Sequence, residues 1–214
     1  MPSSGVRNAA ETMTAPDRRF AEAWPDLIDL LRSHYGEAHR AYHTWDHITA
    51  LLGHFEGLEW HDPASVEVAL YWHDVIYEPL SATNEADSAA LMHEHMTGRA
   101  EGTLLERADA IILATATHRV PATADAALAQ DCELFLDMDL SILGAPWDEF
   151  AKYDQAIRQE FIAIPDPVFL PRRRAIMAGF LERERLFLTD IFHRRYDAQA
   201  RANLTRLVAS LPES

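Results

Sequence analysis

The chain has 214 residues, enough to bury one sizeable core and short of a comfortable two. Its 48% apolar and 25% charged residues give a globular balance, and no apolar run approaches the roughly 18 residues that span a bilayer. The net charge of −15 sets the surface against a phosphate backbone and disfavours nucleic-acid polymers as partners, while the single Cys132 excludes an internal disulfide and a cysteine-built zinc cluster. A metal in this chain must therefore be held by nitrogen and oxygen. A small anion remains admissible in a metal-lined pocket, because the cation inverts the local field. The N-terminus lacks a hydrophobic signal core, so no export is expected and a reducing, cytoplasmic location fits. Residues 1–16 mix Ser, Ala, Thr, Gly and Pro and read as a disordered tail, leaving 17–214 as a single domain.

Residues 17–35 place Phe20, Trp24, Leu27, Leu30 and Leu31 at helical spacing, with Pro25 opening a new first turn and Gly36 ending the run. Arg40 to His43 form a connector. Thr44 reads as the N-cap of a helix over roughly 45–58, with Asp46 in its first turn and Ile48, Leu51, Leu52 and Phe55 on its buried side. A third helix runs over roughly 63–76 and ends before Pro79, which disfavours helix at Glu78. Thr83 or Asn84 caps a fourth over about 85–97, and 104–117 reads as a fifth with His118 at its end. A helix over about 124–136 leads to Asp137 and Asp139. Helices near 147–162 and 172–187 flank a turn rich in proline, Pro165, Pro167 and Pro171, and a last helix covers roughly 195–210. No strand, repeat or linker is evident, so the expectation is an all-α bundle of seven to nine helices. Trp24, Trp60, Trp72 and Trp147 read as core or near-core.

The stretch Tyr71 to Glu78 ends an apolar run with His73-Asp74, whose imidazole and carboxylate can bind one cation. His47 precedes this pair by 26 residues, and Asp137 and Asp139 follow it. Ten of the eleven histidines fall between His34 and His118, which also favours a site in the first half. Such ligands lie on different helices and meet only if a bundle gathers the liganding ends, as bundle cores commonly do. Two imidazoles with two carboxylates suit a divalent ion such as manganese, magnesium, iron, cobalt, nickel or zinc. They also leave positions of a six-coordinate ion open.

In this order the motifs resemble the HD superfamily of metal-dependent phosphohydrolases, and a small bacterial branch of predicted HD hydrolases. The matching stretches are Arg40-Ala41-Tyr42-His43-Thr44-Trp45-Asp46-His47-Ile48, His73-Asp74-Val75-Ile76-Tyr77, Asn84-Glu85-Ala86-Asp87-Ser88-Ala89, Ala114-Thr115-Ala116-Thr117-His118, Asp137 to Gly144 and Ala200-Arg201-Ala202-Asn203-Leu204. The resemblance implies an HD-type helical bundle around a central divalent metal, held by His47, His73, Asp74 and Asp139, with Asp139 preferred to Asp137. It implies hydrolysis of a phosphate ester of a small molecule, a nucleotide among the candidates. The cation would lower the pKa of a bound water, which Asp74 would orient.

Several nucleotide-cleaving members carry an acid three residues after the Asp of the His-Asp pair. Here that place holds Tyr77, followed by Glu78. His118 then becomes the candidate proton donor, with Glu78 and Glu85 as substitutes, and His118 is also a candidate second metal ligand. Arg40, His43, Asn84 and Glu85 are candidate substrate contacts, Arg40 because a guanidinium can grip a phosphate bidentately. Each has a plainer reading: Arg40 as a solvated loop residue, Asn84 and Glu85 as a cap and first-turn acid, His118 as a histidine favoured by the helix dipole. The alternative to an enzyme is a non-catalytic HD-type domain that senses a metal or nucleotide. A two-iron oxidative site would need His118 and His43 as further ligands. A homodimer is compatible with the chain, and no membrane partner is expected.

Overall fold

The computed structural model describes Phe20 and residues 22–213; the expected tail over 1–16 and the expected helix start at Asp17 lie outside the described residues. Among the described residues nine α-helices and one short 3-10 helix carry the fold, with no strand and one isolated bridge between Thr97 and Ala100. The helices are α1 (Pro25–Tyr35), α2 (Trp45–Phe55), α3 (Pro63–Trp72), α4 (Asn84–Met96), α5 (Gly102–Thr115), α6 (Ala126–Asp139), α7 (Trp147–Glu160), α8 (Asp166–Leu181) and α9 (Asp190–Ser210). The 3-10 turn Leu140–Gly144 continues directly from α6. The all-α expectation holds.

Helix α3 is the axis. Asp62 caps it by accepting from Ser65 N, and Pro63 occupies a first-turn position where no N–H partner exists. From Ser65 to Trp72 every residue but Glu67 is buried, as in a helix enclosed on nearly all sides. Helices α2, α4 and α5 pack around it, and α6 lies against α2 and α5. Leu51, Leu52, Val66, Leu70, Ile111, Ile112 and Phe135 belong to the resulting core. Trp72 is fully buried, and Trp24, Trp60 and Trp147 pack on the core's rim. Helix α3 ends at Trp72, four residues earlier than expected, so His73 and Asp74 stand at its exit rather than within it.

Helices α8 and α9 also differ from the sequence reading, and α8 ends at Leu181 rather than near 187. The prolines expected to make a turn are instead absorbed into α8: Pro165 is its N-cap, Pro167 lies in the first turn, and Pro171 sits inside the helix. Helix α9 starts at Asp190, five residues earlier than expected. Its start is fixed from a distance, because Asp137 accepts from Leu188 N, Thr189 N and the Thr189 hydroxyl at 2.6–2.7 Å.

The segment after Asp139 is held against α9. The Asn203 side-chain amide donates to the carbonyls of Leu143 and Ala145 at 2.9 and 2.8 Å. Gly144 allows the close approach, since a Cβ there would lie 2.6 Å from the Tyr196 Cβ and 2.8 Å from its carbonyl oxygen. Gly144→Ala is therefore expected to destabilise the fold by about 1–3 kcal/mol through overpacking. Gly53→Ala, whose added methyl meets nothing within 4 Å, is expected to be neutral or to stabilise by up to about 1 kcal/mol. Urea unfolding of the two variants checks both signs.

Candidate metal centre

Three elements deliver the site. His47 lies in the first turn of α2, His73 and Asp74 at the exit of α3, and Asp139 at the last residue of α6. His47, His73 and Asp139 form a group whose ligand atoms all lie within 4.8 Å of one another and which could hold a metal ion. The His47 and His73 Nε2 atoms are 3.3 Å apart. Asp139 Oδ1 lies 3.2 Å from His47 Nε2 and 3.8 Å from His73 Nε2. Asp74 Oδ2 lies 3.1 Å from His73 Nε2 and 3.7 Å from His47 Nε2, so it faces the same point.

The tautomer of His73 is set by its backbone. Its Nδ1 donates to the Leu70 carbonyl at 2.9 Å, which turns the Nε2 lone pair toward the centre. Burial disfavours charge on this ring, yet Asp74 and Asp139 raise its pKa to about 9. Burial also opposes ionisation of Asp74, but His73, His43 and His47 hold its carboxyl far below the usual range. Asp139 is held low in the same way by His118 and His47. Electron-rich atoms thus crowd a buried point that is most stable when something positive occupies it. The donor set, two imidazole nitrogens and carboxylate oxygens, fits a divalent ion.

No family model, no curated protein and no solved structure matches this chain.

The centre forms part of the wall of a cavity of about 360 Å³, whose lining includes Asp74, Asp139, His43, His118, Asn84 and Glu85. His118 Nε2 lies 3.0 Å from Asp139 Oδ2, on the carboxylate edge away from His47. Its backbone has a positive φ of 48°, a conformation uncommon outside glycine. His118 thus stands beside Asp139 and, like Asp74, outside the three-residue group. Asn84 spends its amide on the Glu78 backbone, accepting from its N–H and donating to its carbonyl. A second cavity of about 510 Å³ reaches His47 and Asp139 from another side, and its wall includes the acids Asp46 and Glu149.

Arg40 does not face either cavity. Its guanidinium is buried and donates to Glu37 Oε2 and to the carbonyls of His43, Asp74 and Val75 at 2.7–3.0 Å. The rings of Tyr35 and Tyr77 lie 5.2 and 5.5 Å from it. With those donors spent, it fixes the chain around Asp74 instead of gripping a phosphate, which corrects the substrate-contact expectation.

Sequence reasoning missed Glu160. Its Oε1 accepts from the backbone N–H of Ala41, Tyr42 and His43 at 2.7–2.9 Å, and its Oε2 from His43 Nδ1 at 2.8 Å and the Tyr77 hydroxyl at 2.9 Å. The Tyr77 ring stacks on His43, with centroids 4.1 Å apart. Nothing in the local sequence marks Glu160, which lies 117 residues from His43.

Burial would raise the Glu160 pKa, but these five bonds and the His43 charge lower it to about 2 from its ordinary 4.5. A folded pKa below the unfolded one stabilises above pH 4.5, and that stability is lost as pH falls toward 2. Glu160→Gln is expected to lower stability at pH 7 by on the order of 3 kcal/mol. The gap to wild type should close as pH is lowered through that window, as followed by urea denaturation at a series of pH values.

Proposed function

We propose that the protein is a metal-dependent phosphohydrolase of HD type that cleaves a phosphate ester of a small molecule, with nucleotides among the candidates. The observation that supports it is the convergence of His47, His73, Asp139 and Asp74 on one buried point at the wall of a cavity. Asp74 is the proposed fourth ligand. The 360 Å³ cavity is the proposed substrate site, because its wall carries Arg173, Arg183, His43 and His118 beside the one further acid Glu85, whereas the other cavity sets Arg195 against Asp46 and Glu149. A divalent ion at the centre, manganese being one that suits these ligands, supplies Lewis-acid activation of a water and of the phosphoryl oxygen.

The chain's own residues do the rest. Asp74 keeps its carboxylate ionised and can orient the attacking water, whose proton passes to solvent. The water oxygen bonds to phosphorus as the ester P–O bond breaks. His118 is the proposed donor of the proton that the leaving oxygen takes, and it must release Asp139 Oδ2 to deliver it. Tyr77 cannot fill this role. Burial and Glu160 push its hydroxyl far above the ordinary tyrosine range, and that hydroxyl already donates to Glu160.

The tied hydroxyl of Tyr77 favours one second reading, a sensor domain that binds metal and ligand without turnover. Elemental analysis of the purified protein counts metal ions per chain. His73→Ala and Asp139→Ala should each strip the metal, and full occupancy in both variants would sink the assignment. With manganese supplied, the protein should release phosphate from some member of a panel of phosphorylated metabolites. His118→Ala should slow that turnover by roughly 10²–10⁴-fold, and by less for esters whose leaving group is acidic enough to depart unprotonated. No turnover that depends on Asp74 would hand the site to the sensor reading.

A further inference from the structure

Arg173 lies on α8, on the wall of the substrate cavity, and sequence reasoning gave it no role. It is 7% exposed. Its Nε donates to Asp154 Oδ1 at 2.9 Å, and the Tyr153 ring lies 5.3 Å from its guanidinium carbon. Tyr153 and Asp154 stabilise its charge, but its Nη2 is buried and makes no hydrogen bond. A buried donor atom without a partner is costly and calls for a ligand or another explanation.

Arg173 also lines a further cavity of about 450 Å³. The two cavities share His43, Tyr77, Tyr153, Arg173 and Ile176, so they adjoin across this wall. The further cavity contains no carboxylate. Its remaining lining is largely apolar and includes Pro79, Leu80, Ile157, Phe161, Ile164 and Phe169. Leu80 and Ile176 stand 70% and 56% exposed on its wall. Large aliphatic side chains so open to water beside a candidate active site mark a surface that an apolar ligand can cover.

We propose that this centre takes a phosphate ester with two unlike ends. The phosphoryl group lies in the metal-lined cavity, where Arg173 supplies its unpaired donor, and an apolar body leaves across the shared wall into the cavity lined by Leu80, Phe161, Phe169 and Ile176. The site thus selects for an apolar leaving group next to the phosphate rather than for a polar sugar or polyol. The inference rests on the hydrolase reading only for the identity of the head group.

Alkylphosphonates, which cannot be hydrolysed at the P–C bond, separate the two. The manganese-loaded full chain is titrated by calorimetry with methyl-, ethyl-, propyl- and butylphosphonate. Affinity is expected to rise about fourfold per methylene, the gain from burying each one. 3-Hydroxypropylphosphonate, matched in length to the butyl compound, should lose the last step. Arg173→Gln should weaken every member alike by roughly 10- to 100-fold, as for a lost charged hydrogen bond. Ile176→Glu and Leu80→Asp, at exposed positions that the fold tolerates, should flatten the dependence on chain length. Equal affinity from methyl to butyl, absence of binding, or wild-type binding by both folded Arg173→Gln and Ile176→Glu would overturn the proposal. Turnover of phosphate esters is scored separately, so chain-length-dependent binding without turnover would leave this inference standing while the hydrolase reading fell.

Discussion

Two imidazole nitrogens 3.3 Å apart, flanked by two carboxylate oxygens, are the arrangement on which the rest of this structure depends. Lone pairs so close repel one another, and a largely buried position gives water little room to screen them. Either protons or a cation must share the space. Asp74 and Asp139 favour a proton on His73 against the cost of burial. A divalent ion would replace that proton, so cation affinity must fall as acid competes for the same nitrogen. The helices are arranged to make this concentration of negative charge tolerable. His47, His73 and Asp139 come from three elements, and each backbone is anchored away from the centre rather than through it.

That anchoring is carried by two buried charges of opposite sign. Arg40 donates to the carbonyls of Asp74 and Val75, just past the end of α3, where a cation is favoured by the helix dipole and by the unpaired oxygens. Glu160 gathers the three successive N–H groups of Ala41, Tyr42 and His43. The connector between α1 and α2 is thus pinned by a cation on one side and an anion on the other. Neither charge is isolated, which is the condition for burying it without a large penalty. The connector in turn sets where α2 begins and so where His47 points.

The convergence of His47, His73 and Asp139 was legible because their order is a property of residue types along the chain: a His-Asp pair bracketed by His47 and an aspartate, on helices whose apolar periodicity is plain. The choice between Asp137 and Asp139 was not open to local reading, since both are acids at the end of one helix. The structure separates them by partners, Asp137 to the start of α9 and Asp139 to the histidines. Arg40 was legible as important and illegible in role, because only the fold shows that carbonyls from Asp74 and Val75 use up its donors. Glu160 and Arg173 carried no signal, as each looks like one more charged residue on an amphipathic helix. Pro171 misled the boundary of α8 because a proline inside a helix removes a backbone donor and ordinarily breaks or kinks it, yet here the helix runs through it.

A net charge of −15 sits uneasily with the proposed phosphate-ester substrate, and distance resolves the conflict. At physiological ionic strength, exposed charges are largely screened beyond about 8 Å. The acidic exterior therefore disfavours a long polyanion, which must lie along the surface, far more than a single phosphoryl group that enters a cavity. Inside, basic side chains stand within reach of such a group. The centre's carboxylates are already engaged by histidines, and Arg173, Arg183, His43 and His118 line the same space. Arg173 is the buried one of the two arginines, and Asp154 takes up only its Nε. On the proposed reading, a small anion with an apolar body would find basic side chains at the cavity and apolar surface beside it, whereas a nucleic-acid strand would have to lie along the acidic exterior.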